Sequence, residues 1–93
     1  MIRSWHGRYA AAIWMRQRPR GLDDRVVDRA QRLLAQLDAA HALSDLRVPP
    51  GNRLHKLRGD RVGQYGLRVN EQLRICFRWV QGHAHEVELT DYH

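Results

Sequence analysis

The sequence has a single cysteine, Cys76, in 93 residues. One cysteine excludes an internal disulfide, and no Cys/Cys or Cys/His spacing typical of a zinc site occurs. We therefore expect a reducing compartment, the cytoplasm, and no structural metal. No apolar run approaches the roughly 18 residues that span a bilayer, so we expect no membrane partner. A glycine-rich phosphate loop is also absent, and we expect no cofactor.

Lysine is almost absent as well. Lys56 is the only lysine among 16 basic residues, and the others are arginine. Against 10 acidic residues they give a net charge of +6 and a pI near 10.7. Such an excess favours a polyanion or an acidic protein as partner, and arginine binds phosphate or carboxylate through a flat fork. A GC-rich genome would also favour arginine, so composition leaves both explanations open.

The length and the ordinary globular composition predict one domain, residues 1–93, with a thin core. A short first strand and a weak helix over 6–17 are expected to precede an amphipathic helix over 22–39. Asp23 or Asp24 can cap the second helix. The side chains expected to face the core from this helical half are Tyr9, Ile13, Trp14, Leu22, Val26, Val27, Ala30, Leu33, Leu34 and Leu37.

After residue 52 the apolar residues recur at every second position, which indicates strands with one apolar and one polar face. The alternation runs through 65–69, 73–79 and 86–89. Because helices come first and a meander of strands follows, the sequence predicts an α+β fold with the helices on one face of an antiparallel sheet.

The register of these strands follows from keeping apolar residues on one face, which requires turns of odd length. We expect turns at 70–72 and 81–83. Two arginines then face each other, which disfavours folding by some tenths of a kcal/mol. They either await an anion or splay into water. The expected pairs are Val69 with Leu73, Leu67 with Ile75, Arg68 with Arg74, Arg74 with Thr90, and Arg78 with Glu86.

Two segments carry groups able to move protons. "RLHKLRGD" contains His55, Lys56 and Arg58, and the chain ends with "DYH". Cleavage of an RNA phosphodiester needs a base for the 2′-hydroxyl, an acid for the leaving oxygen, and cations for the phosphorane charge. Histidines near arginines can supply all of these. Strand parity puts Asp91 and His93 on one side and Tyr92 on the other, so the tail must twist if all three act together.

Two other patterns are weaker. "HAH" at 83–85 places two histidines on one strand face, as zinc ligands would be, but no third ligand is evident. Cys76 lies between Arg74 and Arg78, which favours a thiolate, but nothing pairs the thiol with a base. We interpret the first as an exposed strand edge and assign no catalytic role to the cysteine.

The segments "LRGDRVG", "RVNEQLRICFRW" and "DYH" together resemble the C-terminal half of HigB-type toxins of the RelE/ParE superfamily. The opening "MIRSW" and the passage before "RLHKL" also fit, so the resemblance covers nearly the whole chain. It implies a RelE-like domain in which an N-terminal strand and two helices pack on one face of a curved antiparallel sheet. This chain departs from the usual residues of the family at four positions. Lys56 stands where proline is usual, Arg58 where lysine is more common, Gly66 where serine is common and Leu73 where tryptophan is usual.

The resemblance further implies a toxin that cuts mRNA on the ribosome without a metal. It implies a cognate helix-turn-helix antitoxin, HigA-like, that neutralises the toxin and takes it to operator DNA. The candidate catalytic residues carried over by position are His55, Arg58, Arg74, Asp91, Tyr92 and His93. Additional contacts to nucleic acid are expected from Arg53, Lys56, Arg61, Arg68 and Arg78.

Two alternatives remain within the same fold. A ParE-like member would inhibit DNA gyrase without cutting nucleic acid, but such an inhibitor has no use for His55 and the "DYH" tail. A non-catalytic regulatory member would act only as a binding module, and the sequence does not exclude it.

Overall fold

The structure is a computed structural model that describes residues 1–91; the predictions for Tyr92 and His93 lie outside the described residues. Two helices precede four strands that form one antiparallel sheet in the order β1-β2-β3-β4. Short 3-10 turns connect the helical half to β1, and another lies between β1 and β2. The elements are α1 (Tyr9–Trp14), α2 (Asp24–Ala39), β1 (His55–Lys56), β2 (Tyr65–Arg68), β3 (Leu73–Val80) and β4 (His83–Asp91).

Helix α2 begins where the sequence predicts a cap. The Asp23 side chain accepts a hydrogen bond from the Arg25 amide at 2.7 Å, which satisfies one of the unpaired N–H groups of the first turn. The helix covers the sheet with its apolar stripe, and its fully buried side chains are Val27, Ala30, Leu33, Leu34 and Leu37. The predicted helix and its inward face are thus confirmed, and Leu22 and Val26 pack at the margin of the core.

Helix α1 is shorter than predicted, with 6 residues. Ile13 is fully buried, but Tyr9 and Trp14 each remain 39% exposed, so the prediction that they face inward was wrong. A helix of this length presents few positions to the core, and Ala10 occupies the second buried one. Trp14 instead lies beside Trp5, with ring centroids 6.3 Å apart.

The predicted first strand pairs with β4 in parallel orientation. The Arg3 amide donates to the Ala84 carbonyl at 2.8 Å, and the Val87 amide donates to the Ser4 carbonyl at 3.1 Å. Ile2 and Trp5 form bridges with β4, although the segment is too short and irregular to be a regular strand. This segment covers the outer edge of β4 and adds Ile2 and Trp5 to the core margin.

The predicted register holds between β2 and β3. Arg68 pairs with Arg74 and Leu67 with Ile75. The turn is closed by Asn70, whose side chain accepts hydrogen bonds from the amides of Gln72 and Leu73 at 2.8 and 2.7 Å.

The register between β3 and β4 changes along the hairpin. Near the open end, Arg74 pairs with Thr90 as predicted, but Arg78 pairs with His85 and not with Glu86. The turn has two residues, Gln81 and Gly82, with φ of 49° and 80°, as a type I′ turn requires. A β-bulge lies between Cys76 and Arg78, opposite the positive-φ residue Glu86. It shifts the register by one residue, so that apolar side chains again face apolar side chains on the core side.

The core lies between the helices and one face of the sheet. It is formed by the buried stripe of α2, Ile13 of α1 and the inward side chains of the strands, including Leu67, Ile75, Phe77 and Val87. The opposite face of the sheet, here called the polar face, carries the arginines and histidines. No helix among residues 1–91 is long and apolar enough to cross a membrane.

Candidate active site

The polar face is organised by the strand register into two rows of side chains. Paired residues of an antiparallel sheet point to the same face, and neighbours two positions apart share it. The histidine row runs across the sheet as His55, Gly66, Cys76 and Glu88. The arginine row lies two residues further along and contains Arg68, Arg74 and Thr90. About 12 Å separate the Cα atoms of His55 and Arg74 in such a lattice.

The imidazole of His55 is exposed and held in one tautomer. Its Nδ1 atom lies 3.1 Å from the Arg53 carbonyl oxygen, and because a carbonyl can only accept, Nδ1 must carry the hydrogen. Nε2 is therefore the nitrogen that gains or loses the proton. Arg53 adopts a left-handed conformation with φ of 48°, uncommon for a residue with a side chain, which turns its carbonyl toward the ring.

Gly66 provides the space in which this imidazole lies. A Cβ atom placed at Gly66 would meet Leu57 Cδ2 at 3.1 Å and His55 Cε1 at 3.5 Å. A Cβ atom there would therefore be crowded by Leu57 and in ordinary van der Waals contact with the imidazole, so the ring lies next to the β2 backbone at Gly66.

Arg74 is fixed by the turn at the end of the arginine row. Its Nη1 atom donates to the carbonyl oxygens of Asn70 and Leu73. Arg68, directly opposite, makes no side-chain hydrogen bond or ion pair to any part of residues 1–91 that the structure describes. Two arginines thus pair across neighbouring strands without a carboxylate in that row, which is an arrangement that favours binding of an anion.

Asp91 ends β4 beside the same turn. It pairs with Leu73, and its carboxylate accepts a hydrogen bond from the Gln72 side chain at 3.0 Å. The pleat places Asp91 on the opposite side of β4 from Thr90 and Arg74. Among the predicted catalytic residues, Asp91 is therefore not brought onto the polar face, and Tyr92 and His93 follow it outside the described part of the chain.

Lys56 lies in β1, and Arg58 follows this strand in the chain. Lys56 pairs with Tyr65, which places it on the other face of the sheet from His55. Arg58 is exposed and precedes the 3-10 turn Gly59–Arg61. It thus lies toward the end of the polar face that is opposite to Arg74, with His55 between the two.

Two of the expected nucleic-acid contacts are compensated by carboxylates on the polar face. Arg61 bonds to Glu88, with side chains only 27% and 15% exposed. Arg78 bonds to Glu86 at 2.6 Å in a more open setting. No role was predicted for Glu88; its position opposite Cys76 was the signal that could have indicated one.

Cys76 lies beneath the Arg61–Glu88 pair and is fully buried. Burial raises the pKa of its thiol from 9.0 to about 11, and Glu88 adds to this, whereas Arg61 and Arg74 oppose it. The idea that flanking arginines favour a thiolate was therefore wrong, because loss of hydration outweighs their attraction. Within residues 1–91, no group of three or more His, Cys, Asp or Glu side chains is arranged to hold a metal ion.

The arrangement of a helical pair on one face of an antiparallel sheet is shared with solved structures. The structure of the heterotetrameric YoeB–YefM toxin–antitoxin complex from Staphylococcus aureus aligns with a TM-score of 0.62 at 17% identity, over 100% of this chain and 98% of that chain. At this identity the likeness concerns the fold, and the predicted fold class is confirmed.

Relatives are also found by sequence. Toxin HigB-1 of Vibrio cholerae serotype O1 is 55% identical over 53 residues, which are 57% of this chain and 56% of that protein. The chain thus spans little more than half the length of that relative in the match. Endoribonuclease HigB of Proteus vulgaris is 29% identical over 93 residues, 100% of both chains.

Residues 13–93 match the family of HigB-like toxins, described as RelE-like toxin of type II toxin-antitoxin system HigB. The chain belongs to this family. The prediction of the family is thus confirmed, as is that of a toxin with an antitoxin partner, and the name of the Proteus relative agrees with the predicted endoribonuclease.

Proposed function

We propose that this toxin is a ribosome-dependent mRNA endoribonuclease that cleaves RNA through the RNA's own 2′-hydroxyl. The observation that carries the proposal is His55, whose Nδ1–H is fixed on the Arg53 carbonyl and whose Nε2 is the proton-exchanging atom. It lies on the same face as a pair of arginines that no carboxylate compensates within their row. Because the RNA brings its own nucleophile, the reaction requires no metal.

In the proposed reaction, a base removes the 2′-hydroxyl proton and the oxygen attacks the adjacent phosphorus. The bond from phosphorus to the 5′-oxygen breaks, and an acid protonates that oxygen. The products are a 2′,3′-cyclic phosphate and a 5′-hydroxyl. We propose that His55 and His93 share the acid and base roles, and coupled groups leave their order open.

The arginines have a distinct role in this reaction. Negative charge grows on the phosphorane oxygens, and guanidinium groups fixed in advance stabilise it without reorganising. Arg74 is held by the carbonyls of Asn70 and Leu73, so it is fixed before substrate binds. Arg58 would bind the charge from the other side of His55. Asp91, held by Gln72 on the far side of β4, would orient Tyr92 and His93 rather than contact RNA.

We propose further that the antitoxin is a helix-turn-helix protein of the HigA type, and that the toxin reaches operator DNA only in complex with it. The ribosome and translated mRNA in the cytoplasm would be its targets. The net charge of +6 supports binding to ribosomal RNA through phosphates. Arg53, Lys56 and Arg68 are candidates for these contacts, and Arg61 and Arg78 would join them when RNA phosphates compete with their carboxylates.

Mapping of message ends after a short pulse of expression tests this function. We expect discrete cuts inside translated reading frames, and their loss when translation initiation on that message is blocked. A His55→Ala variant at equal abundance serves as the control. DNA damage with intact messages would contradict the proposal and favour the gyrase-inhibitor alternative, whereas neither effect would favour a non-catalytic member.

A further inference from the structure

The loop between β1 and β2 lies over the polar face. It follows His55 of β1 and contains Arg58, and both are proposed catalytic residues. This loop, residues 57–64, is closed at its base by a hydrogen bond from the Leu57 amide to the Gln64 carbonyl at 3.0 Å. Leu57 is only 4% exposed, and its side chain reaches Gly66 in the histidine row. His55 precedes the loop and Arg58 lies within it, so the position of the loop sets the distance between them.

An ion pair joins the far side of this loop to the sheet. Arg61 Nη1 donates to Glu88 Oε1 and, at 3.2 Å, to Gln64 Oε1. The bond thus joins the loop to β4 across two intervening strands. His6 also lies near this carboxylate, with its Nε2 atom 3.9 Å from Glu88 Oε2.

The environment of the pair argues against a role in stability alone. Glu88 is 15% exposed and Arg61 27%, so both charges have lost much of their hydration. Ion pairs of this kind are often neutral for stability when compared with apolar residues, because desolvation offsets their attraction. A carboxylate in the middle of a face that binds polyanions also weakens that binding. Its presence there requires another reason, and fixing the loop supplies one.

We propose that Glu88 is a positioning residue: through Arg61 it holds the loop 57–64 closed over Cys76, and thereby keeps Arg58 in register with His55. The inference rests on the proposed function, because His55 and Arg58 matter here as members of the cleavage site. Glu88 itself does not contact the substrate. Opening of the loop moves Arg58 away from the reacting phosphate and uncovers the thiol of Cys76.

The chain contains a matched control. Glu86 is also on β4 and also pairs with an arginine, Arg78, at 2.6 Å. Its pair is more open, with side chains 51% and 40% exposed. Arg78 belongs to β3, and its Nη1 atom packs against Gly63 of the loop. Glu88→Gln and Glu86→Gln therefore remove the same charge from the same strand, but only the first removes an ion pair with a side chain of the loop.

The first measurement is alkylation of Cys76, the only cysteine, by iodoacetamide at pH 8. The buried thiol of the protein without substitutions reacts slowly. In Glu88→Gln we expect alkylation to be about tenfold faster, because local opening is favoured when a charge-assisted hydrogen bond is lost. Glu86→Gln should react at the same rate as the protein without substitutions.

Equal alkylation rates in Glu88→Gln and the protein without substitutions would overturn the inference. A melting temperature many degrees lower in Glu88→Gln only would overturn it too.

The second measurement is single-turnover cleavage of a ribosome-bound message over a range of toxin concentrations. We expect the rate at saturation to fall about tenfold in Glu88→Gln, while the half-saturating concentration does not rise, because Glu88 does not contact the substrate. The double exchange Arg61→Glu with Glu88→Arg rebuilds the pair and should recover most of the rate.

The possible outcomes separate the two proposals. Faster alkylation with an unchanged cleavage rate would overturn the positioning role, even though the loop had opened. A raised half-saturating concentration with an unchanged saturated rate would overturn it too. If the unmodified toxin does not cut ribosome-bound message at all, the proposed function fails, and alkylation still decides whether Glu88 holds the loop.

Discussion

Arg68 lies directly opposite Arg74 across the ladder of β2 and β3, and the two guanidinium groups are held differently. Arg74 is bonded to the carbonyl oxygens of Asn70 and Leu73, which leaves it fixed at the end of the sheet. Arg68 has no such bonds among the described residues. The pair combines one rigid and one adaptable cation, which suits an anion that enters, changes its charge distribution and leaves.

The first prediction concerns Arg74→Ala. We expect RNA cleavage to fall at least about 100-fold, because a fixed cation that stabilises the phosphorane is lost. The free energy of unfolding should change by less than about 1 kcal/mol, because the loss of the two hydrogen bonds to the carbonyls of Asn70 and Leu73 is offset by relief of repulsion from Arg68. Cleavage and chemical denaturation of the same preparation are the measurements.

The control for Arg74→Ala is Arg32→Ala. Arg32 is exposed on α2, so this substitution removes the same charge from the other side of the molecule. It should retain full cleavage. A variant at Arg74 that does not fold would contradict the account, since it would place the arginine in a structural network.

A second prediction concerns binding to the ribosome. If phosphate contacts dominate, the logarithm of the binding constant falls with the logarithm of salt concentration, with a slope of about −0.7 to −0.9 per phosphate. Arg68→Ala should reduce the magnitude of the slope by about one contact. Co-sedimentation with ribosomes at increasing salt is the assay, and salt-insensitive association would indicate a protein contact instead.

The buried thiol gives a third prediction, on pH. The pKa of Cys76 rises from 9.0 to about 11 in the folded protein. Its contribution to stability is complete below about pH 9 and is lost as pH rises through about 11. We expect the difference in unfolding free energy between the unmodified protein and Cys76→Ala to shrink across this window. A difference that stays constant from pH 8 to 11 would show that the thiol is not shielded.

The fourth prediction concerns His93, which lies outside the described residues. Deletion of this last residue removes no core contact that the sequence predicts, so the loss of stability should be below about 0.5 kcal/mol. Growth arrest and message cleavage should nevertheless collapse, and His93→Gln should behave alike. If the truncated protein still arrests growth at equal abundance, the proposed site is wrong; if it melts many degrees lower, the tail is structural.

Periodicity was sufficient to predict most of the fold. The stripe of α2 and the alternation in β2 and β3 are dictated by burial, and a slip by one residue would expose the core. The register error at Arg78 arose because a two-residue turn and a bulge at Glu86 together preserve the same alternation as a three-residue turn. The exposure of Trp14 depends on how far α1 extends, which short apolar patterns do not determine.

The candidate site was less predictable. Sequence could place His55 and Arg74 on polar strand positions, and the resemblance supplied their roles. It could not reveal the Arg53 carbonyl that fixes the tautomer, because this depends on a left-handed backbone conformation. Nor could it pair Arg61 with Glu88, since the two residues are 27 positions apart and meet only after the loop folds over β3.

One substitution in the substrate tests whether the RNA supplies its own nucleophile. A ribosome-bound message with a single 2′-deoxynucleotide on the 5′ side of the mapped cut should resist cleavage there, while the all-ribose message is cut. The products of the latter should carry a 5′-hydroxyl and a 2′,3′-cyclic phosphate. Cleavage of the deoxy-substituted message at the same position, leaving a 5′-phosphate, would contradict the account.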